Sequence, residues 1–281
     1  MDLVTHVRYG IFIIINYWKI KKVAALLADD KSKIVFWTKL KSRNILRVSK
    51  LLQSMGTLLE SSELSSSKHK VTDDLTGEKV PIIIDHNQYF PSDIIILDNE
   101  SFLDAGAYIG DTIESMINHS HKIFKNIYAF EPLTNNCKKI KQLLEEKYEP
   151  CIQQKIKIYN YGLSNKNEQL YFSGEGDQAN LTDGHKGTAI PVVDIKTCLT
   201  SQELMDLTYI KMDIEGFELP VLQTMEEVIA IKKPKLAICV YHKPQDIVDI
   251  PLYLNRICPA YKLYLRHHTN WVFETVLYAV A

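Results

Sequence analysis

From Phe102 onward, short apolar runs that end on an acid alternate with stretches of helical period, and no other feature of the chain restricts its fold so strongly. "FLDAGAYIGDT" opens the series, a strand stopping at Asp104 with a helix expected from about Asp111. "NIYAFEP" is a strand ending on Glu131, and "TNNCKKIKQLLEEKY" a helix with Thr134 as its N-cap. "KIKIYNYGLS" and "TYIKMD" read as strands, "FELPVLQTMEEVIAI" as a helix, "KLAICVY" as a strand and "PQDIVDIPLYLNRI" as a helix. Strands that alternate with helices predict a mostly parallel sheet covered on both faces. The chain closes differently: "YKLYLRHH" and "WVFETVLYAVA" have no helix between them, which predicts an antiparallel pair at one edge.

The 281 residues allow one α/β domain with an appendage, here residues 1–90 ahead of a domain over 91–281. Residues 1 to about 60 have helical spacing, and the polar "ESSELSSSKHK" reads as a linker. A net charge of -1 argues against a nucleic-acid partner. The five cysteines form no C-x-x-C pair, which suggests reduced thiols and a cytoplasmic location. "YGIFIIINYW" is too short to span a bilayer, though Lys19, Lys21 and Lys22 follow it as in a basic amphipathic element; a helix packed on its own domain is the plainer reading.

In open α/β sheets a ligand sits beyond the carboxyl ends of the strands, where Asp104 lies. Gly106 permits a sharp turn and Gly110 a close approach. A dinucleotide would prefer G-x-G-x-x-G, but Tyr108 stands where the second glycine belongs, and Asp104 and Asp111 would repel a phosphate. The turn suits a cationic ligand, and S-adenosylmethionine fits, with a positive amino group and sulfonium. Glu131, 27 residues after Asp104, ends the next strand and is placed for the ribose hydroxyls.

The blocks "DAGAYIGDT", "YAFEP", "NYGLSN", "VVDIKTCL", "YIKMDIEGFELPVL", "AICVYHKPQDI", "YLRHH" and "ETVLYA" together resemble the FkbM family of S-adenosylmethionine-dependent methyltransferases. The resemblance runs from about residue 95 to the end, and "KMDIEGFE" is its most specific block. It implies a class I methyltransferase fold, Rossmann-like, with a seven-stranded, mostly parallel sheet whose last strand is antiparallel, plus an N-terminal helical appendage. It also implies O-methyl transfer, often to a sugar hydroxyl in polysaccharide or antibiotic assembly. By position, Asp104, Gly106 and Gly110 form the cofactor turn, Thr112 begins the helix, Glu131 takes the ribose, and Gly162, Leu163 and Ser164 follow the third strand near the adenine. Tyr108 departs from the asparagine commoner at its position.

A hydroxyl acceptor needs a base, or a metal that acidifies it. Asp213 and His242 are expected to end neighbouring strands. Either they bind a divalent cation (iron, manganese or magnesium) with Glu215 as a further ligand, or His242 is the base and Asp213 orients it. Asp213 as a plain helix cap is the third alternative. His267 and His268 are candidates for acceptor binding, with a structural role the simpler reading; Lys211 and Lys243 are candidates for an acidic substrate, with solvation as the default. The expected substrate is a sugar or nucleotide-sugar, and a homo-oligomer is allowed. A carboxylate, amine or lipid acceptor, or a non-catalytic scaffold in a glycan assembly complex, are the alternatives.

Overall fold

The computed structural model describes residues 12–42, 70–72, 79–81, 83–92, 97–173, 180–181, 187–269 and 274–281. Helices α1 (Tyr17–Leu26) and α2 (Asp30–Ser42) are followed by the short strands β1 (Lys70–Thr72) and β2 (Lys79–Pro81), which pair antiparallel. The alternating region contains β3 (Glu100–Ala105), α3 (Asp111–His119), β4 (Phe124–Phe130), α4 (Thr134–Lys147), α5 (Pro150–Gln153) and β5 (Ile156–Tyr159). Next come β6 (Gly162–Leu163), β7 (Glu168–Ser173), β8 (Asn180–Leu181), β9 (Thr188–Val193) and α6 (Ser201–Met205). The chain continues through β10 (Tyr209–Met212), α7 (Glu218–Thr224), α8 (Glu226–Lys232), β11 (Lys235–Cys239), α9 (Asp246–Ile257), β12 (Lys262–His267) and β13 (Thr275–Val280).

The strand order β12-β13-β11-β10-β3-β4-β5 makes a seven-stranded sheet, and a separate sheet has the order β6-β9-β7-β8. Strands β5, β4, β3, β10 and β11 run parallel, while the last strand, β13, runs antiparallel to β12. This is the mostly parallel sheet with an antiparallel last strand that the order of elements predicts. By backbone contacts the chain divides into two units, Ser92–Ile238 and Met1–Pro91 with Cys239–Ala281.

Within Ser92–Ile238 the central strands β3 and β10 are buried along their length, as strands covered on both faces must be, and β4 is buried from Ile127 to Phe130: Phe102, Leu103, Ile127, Ala129, Ile210 and Met212 are all fully enclosed. Three local readings change. The expected single strand "KIKIYNYGLS" is two, β5 and β6, which belong to different sheets. Asn160 stands at the break and donates from Nδ2 to the carbonyls of Glu131 (3.0 Å) and Pro132 (2.9 Å). "FELPVLQTMEEVIAI" is two helices interrupted at Met225. Thr134 is the first helical residue of α4 rather than its cap, and its hydroxyl donates to Asn160 Oδ1 at 2.8 Å. Of the expected helical stretch after α2, most residues lie outside those described.

The other unit is organised by buried polar pairs. Arg266, 2% exposed, donates to Asp29 (2.7 and 3.2 Å) and to Ser32 Oγ (2.9 Å). Ser32 Oγ in turn donates to Asp29 and accepts from Leu265 N–H at 2.9 Å. His267 is fully buried, with Nδ1 3.0 Å from Thr275 Oγ1. His268 Nδ1 lies 2.6 Å from the Asp85 carbonyl, which can only accept, so Nδ1 carries the hydrogen. Its Nε2 then accepts from the Tyr278 hydroxyl at 2.8 Å, and that hydroxyl accepts from Tyr89 N–H at 3.2 Å. Both histidines are therefore built into the fold.

This arrangement needs a neutral His268. Burial, reinforced by the charges of Lys31 and Arg266, pushes its pKa from 6.5 down to about 4. Above about pH 6.5 folded and unfolded chains both hold it neutral; below that the unfolded chain takes up a proton that the folded one refuses. Stability should therefore fall as pH drops from about 6.5 to about 4, by about 3 kcal/mol from this group. Urea unfolding across that range should show His268→Gln losing less stability than the parent chain; parallel curves would refute the assignment.

Candidate functional site

The turn between β3 and α3 is shaped by backbone packing. Gly106 has φ +84°, and a Cβ there would fall 1.9 Å from the Asp213 carbonyl oxygen. Glycine is required because the exits of β3 and β10 nearly touch; Asp213 N–H also donates to Ala105 O at 3.0 Å. Gly110, at φ +95°, is the cap residue of α3, and a Cβ there would meet Leu143 Cδ2 of α4 at 3.0 Å. Between them Tyr108 adopts φ 47°, with 39% of its surface exposed. Gly106 and Ala107 both donate to Phe130 O at 3.0 Å, so the turn is tied to the end of β4.

Glu131, the next residue of that strand, completes the attachment. Its Oε2 accepts from Tyr108 N–H at 2.9 Å, and its Oε1 from Leu133 N–H at 2.9 Å and Asn136 Nδ2 at 3.1 Å. The residue is 5% exposed. Burial raises its carboxyl pKa, and the three donors work against that rise. The glycine turn and the acid expected to bind a ribose thus form one hydrogen-bonded assembly.

Asp104 has a different setting from the one its position suggests. It is fully buried, and Lys211, opposite it in the β3–β10 register, puts Nζ 3.0 Å from Oδ1. The two opposite charges therefore meet directly in the buried sheet. The ammonium also donates to Gly106 O at 2.5 Å. Burial raises the Asp104 pKa against the opposing pull of Lys211, and the nearby Asp111 and Asp213 add to the rise. Asp104 therefore lies beneath the turn and acts on it through Lys211. Lys211, 2% exposed, is not the solvated lysine expected by default. The signal was its place in the middle of "YIKMD", where a parallel strand buried on both faces demands a counter-charge.

The remaining expected residues are divided by the fold. Thr112 is 4% exposed in the first turn of α3. Gly162, Leu163 and Ser164 lie on the small sheet: Gly162 and Leu163 pair with Val192 and Val193, and Ser164 N–H donates to Val193 O at 2.9 Å. Asp213 and Glu215 are half-buried just after β10, in a turn where Glu215 (φ 55°) and Gly216 (φ 90°) are left-handed. The sequence reading missed Glu218. It is fully buried, its Oε1 accepts from Ile214 N–H at 3.0 Å, and it brings a carboxylate oxygen within 4.8 Å of one from Asp213. His242 belongs to the other unit, three residues beyond β11, with its ring 4.2 Å from that of Tyr241.

The Methyltransferase FkbM domain matches residues 104–262. A crystal structure of methyltransferase FkbM from Methylobacillus flagellatus KT superposes with a TM-score of 0.71 at 25% identity, covering 96% of this chain and 60% of that one. The chain thus spans less than two thirds of that protein's length. An rRNA methylase from Streptococcus thermophilus aligns at 14% identity and TM-score 0.39, over 66% of this chain and 87% of its own. Aeropyrum pernix fibrillarin, in complex with natively bound S-adenosyl-L-methionine, aligns at 9% identity and TM-score 0.36, over 66% and 69%. No curated protein matches the chain.

The packing generates a stability prediction. Gly106→Ala should cost more than about 3 kcal/mol, because its Cβ meets backbone. Gly162→Ala, whose Cβ meets side chains alone, Val192 Cγ1 at 3.0 Å and Pro132 at ordinary contact distance, should cost less than about 1.5 kcal/mol. Lys211→Met should cost about 3–5 kcal/mol by stranding Asp104, and adding Asp104→Leu should recover part of it. Chemical denaturation of the four proteins checks the order; equal losses for the two glycine variants would contradict the packing account.

Proposed function

This chain belongs to the FkbM methyltransferase family, and from that premise we propose that it transfers a methyl group from S-adenosylmethionine to a hydroxyl of a sugar or nucleotide-sugar. The observation that supports the cofactor half best is the Glu131 assembly. A carboxylate has about four acceptor positions, and among the described residues Glu131 fills three of them with Tyr108 N–H, Leu133 N–H and Asn136. Acceptor capacity is left for a ribose hydroxyl, on a carboxylate already fixed in place. The donor set also suits the group's charge: Glu131 is tied to the turn, and the ammonium of Lys211 is engaged by Asp104 and Gly106 O.

S-adenosylmethionine supplies a methyl carbon made electrophilic by its sulfonium. The acceptor oxygen forms its bond to that carbon as the carbon–sulfur bond breaks, and the hydroxyl proton leaves to a base. Holding oxygen and carbon in line provides much of the rate. For the proton we assign His242 as base with Asp213 orienting it. The variant of this reading gives Asp213, His242 and Glu215 to a divalent cation (iron, manganese or magnesium), and the burial of Glu218 beside Asp213 adds a second carboxylate of the hard-oxygen type such ions prefer.

Titration calorimetry with S-adenosylmethionine tests the first half: Glu131→Ala should weaken binding about tenfold or more, and an unaltered Kd would dismiss the ribose assignment. His242→Ala should lower methyl transfer about 100- to 10,000-fold while leaving that Kd in place. Activity that survives a chelator removes the metal variant, and transfer to carboxylates but not to activated sugars removes the sugar.

A further inference from the structure

Helix α1 packs on α9 through one face, with Ile20 and Val23 buried, and Ile13 and Leu27 are enclosed on the same side. Its opposite face is also apolar: Ile14 is 54% exposed, Ile15 75% and Trp18 77%. The helical phase continues through Asn16, because Asn16 N–H donates to Phe12 O (2.9 Å) and Ile20 N–H to Asn16 O (3.0 Å). At 3.6 residues per turn, residues 14, 15, 18, 19, 21, 22 and 25 share an arc of about 160°. On that arc the apolar residues are interleaved with Lys19, Lys21 and Lys22, all exposed, and it carries no acidic residue. Lys21 Nζ lies 5.7 Å from the Tyr17 ring and 5.8 Å from that of Trp18; Lys19 reaches across to Asp249 of α9 at 3.7 Å.

We propose that this face docks on an anionic phospholipid surface. Large apolar side chains exposed together mark a surface that is covered in use. The chemistry here indicates what covers it. Tryptophan favours the boundary between headgroups and acyl chains, and lysine stems reach from that depth to lipid phosphates. A second copy of the same face would bring three lysines against three, which disfavours self-association. No helix among the described residues is long and apolar enough to cross a membrane, and the exposed apolar and basic residues run along the side of α1, which suits a lateral contact. The inference is independent of the methyl-transfer reading and needs no cofactor.

Co-sedimentation of the full chain with phosphatidylcholine vesicles, with and without a quarter of phosphatidylglycerol, tests it. The protein should sediment with the anionic vesicles and much less with the neutral ones. Lys21→Gln with Lys22→Gln should weaken that partition roughly thirtyfold, and Ile15→Ser with Trp18→Ser should abolish it. Both pairs are exposed, so thermal unfolding should stay close to that of the parent. Three outcomes would overturn the proposal: no sedimentation, equal sedimentation with both vesicle types, or variants that sediment like the parent. Concentration-dependent self-association that the same variants abolish, with no vesicle binding, would assign the face to a second copy and overturn it as well.

Discussion

Asp104 and Lys211 face each other on neighbouring strands in a region that has no water to spare. Their side chains are 0% and 2% exposed, and the ammonium continues to the Gly106 carbonyl. A buried ion pair of this kind adds little net stability compared with an apolar pair of the same size, because both charges must be desolvated. What it fixes is position. Lys211 is held by a partner on β3 and by the first residue of the turn, so β10 and the turn share one register. Asp213, two residues further on, can then approach Gly106 to a separation that excludes even a methyl group.

From that point the site is assembled by backbone. Phe130 O takes two N–H groups from the turn, and Glu131 takes a third from Tyr108. A loop held at three places on an adjacent strand is ordered before any ligand arrives, so binding need not meet the cost of arranging it. The left-handed backbone of Tyr108, Glu215 and Gly216 lies in the two turns that follow β3 and β10, where strained geometry tends to gather at functional sites.

The sequence reveals the layer order, the antiparallel last strand and the family, because periodicity and motif spacing are local properties. Glu131 is legible for the same reason: it ends an apolar run. The reason for Gly106 is not legible, since its neighbour is a carbonyl more than a hundred residues away. Lys211 and Asp104 are each readable as polar residues in apolar strands, but their partnership depends on strand order, which spacing does not give. Asn160 breaks an expected strand by bonding to the end of β4, a contact that no pattern announces. Glu218 hides in a helix start, where an acid ordinarily serves the dipole and faces solvent. For His267 and His268 a structural role is the simpler reading of the sequence, but their partners, the Thr275 hydroxyl for one and the Asp85 carbonyl and Tyr278 hydroxyl for the other, are not written in it.

Arg266 and Asp29 are 237 positions apart and still form the central pair of their unit. On a ribosome, Asp29 and the α2 that follows it emerge long before the strand that carries Arg266. The nascent segment around Ser32 must wait, uncovered, until β12 has been made. Closure of this unit is therefore a late, long-range event, the kind that slows folding and exposes sticky surface meanwhile. Deletions that remove β12 or β13 should thus be felt first around Asp29 and Ser32, and chaperone dependence should track how quickly these two strands are delivered.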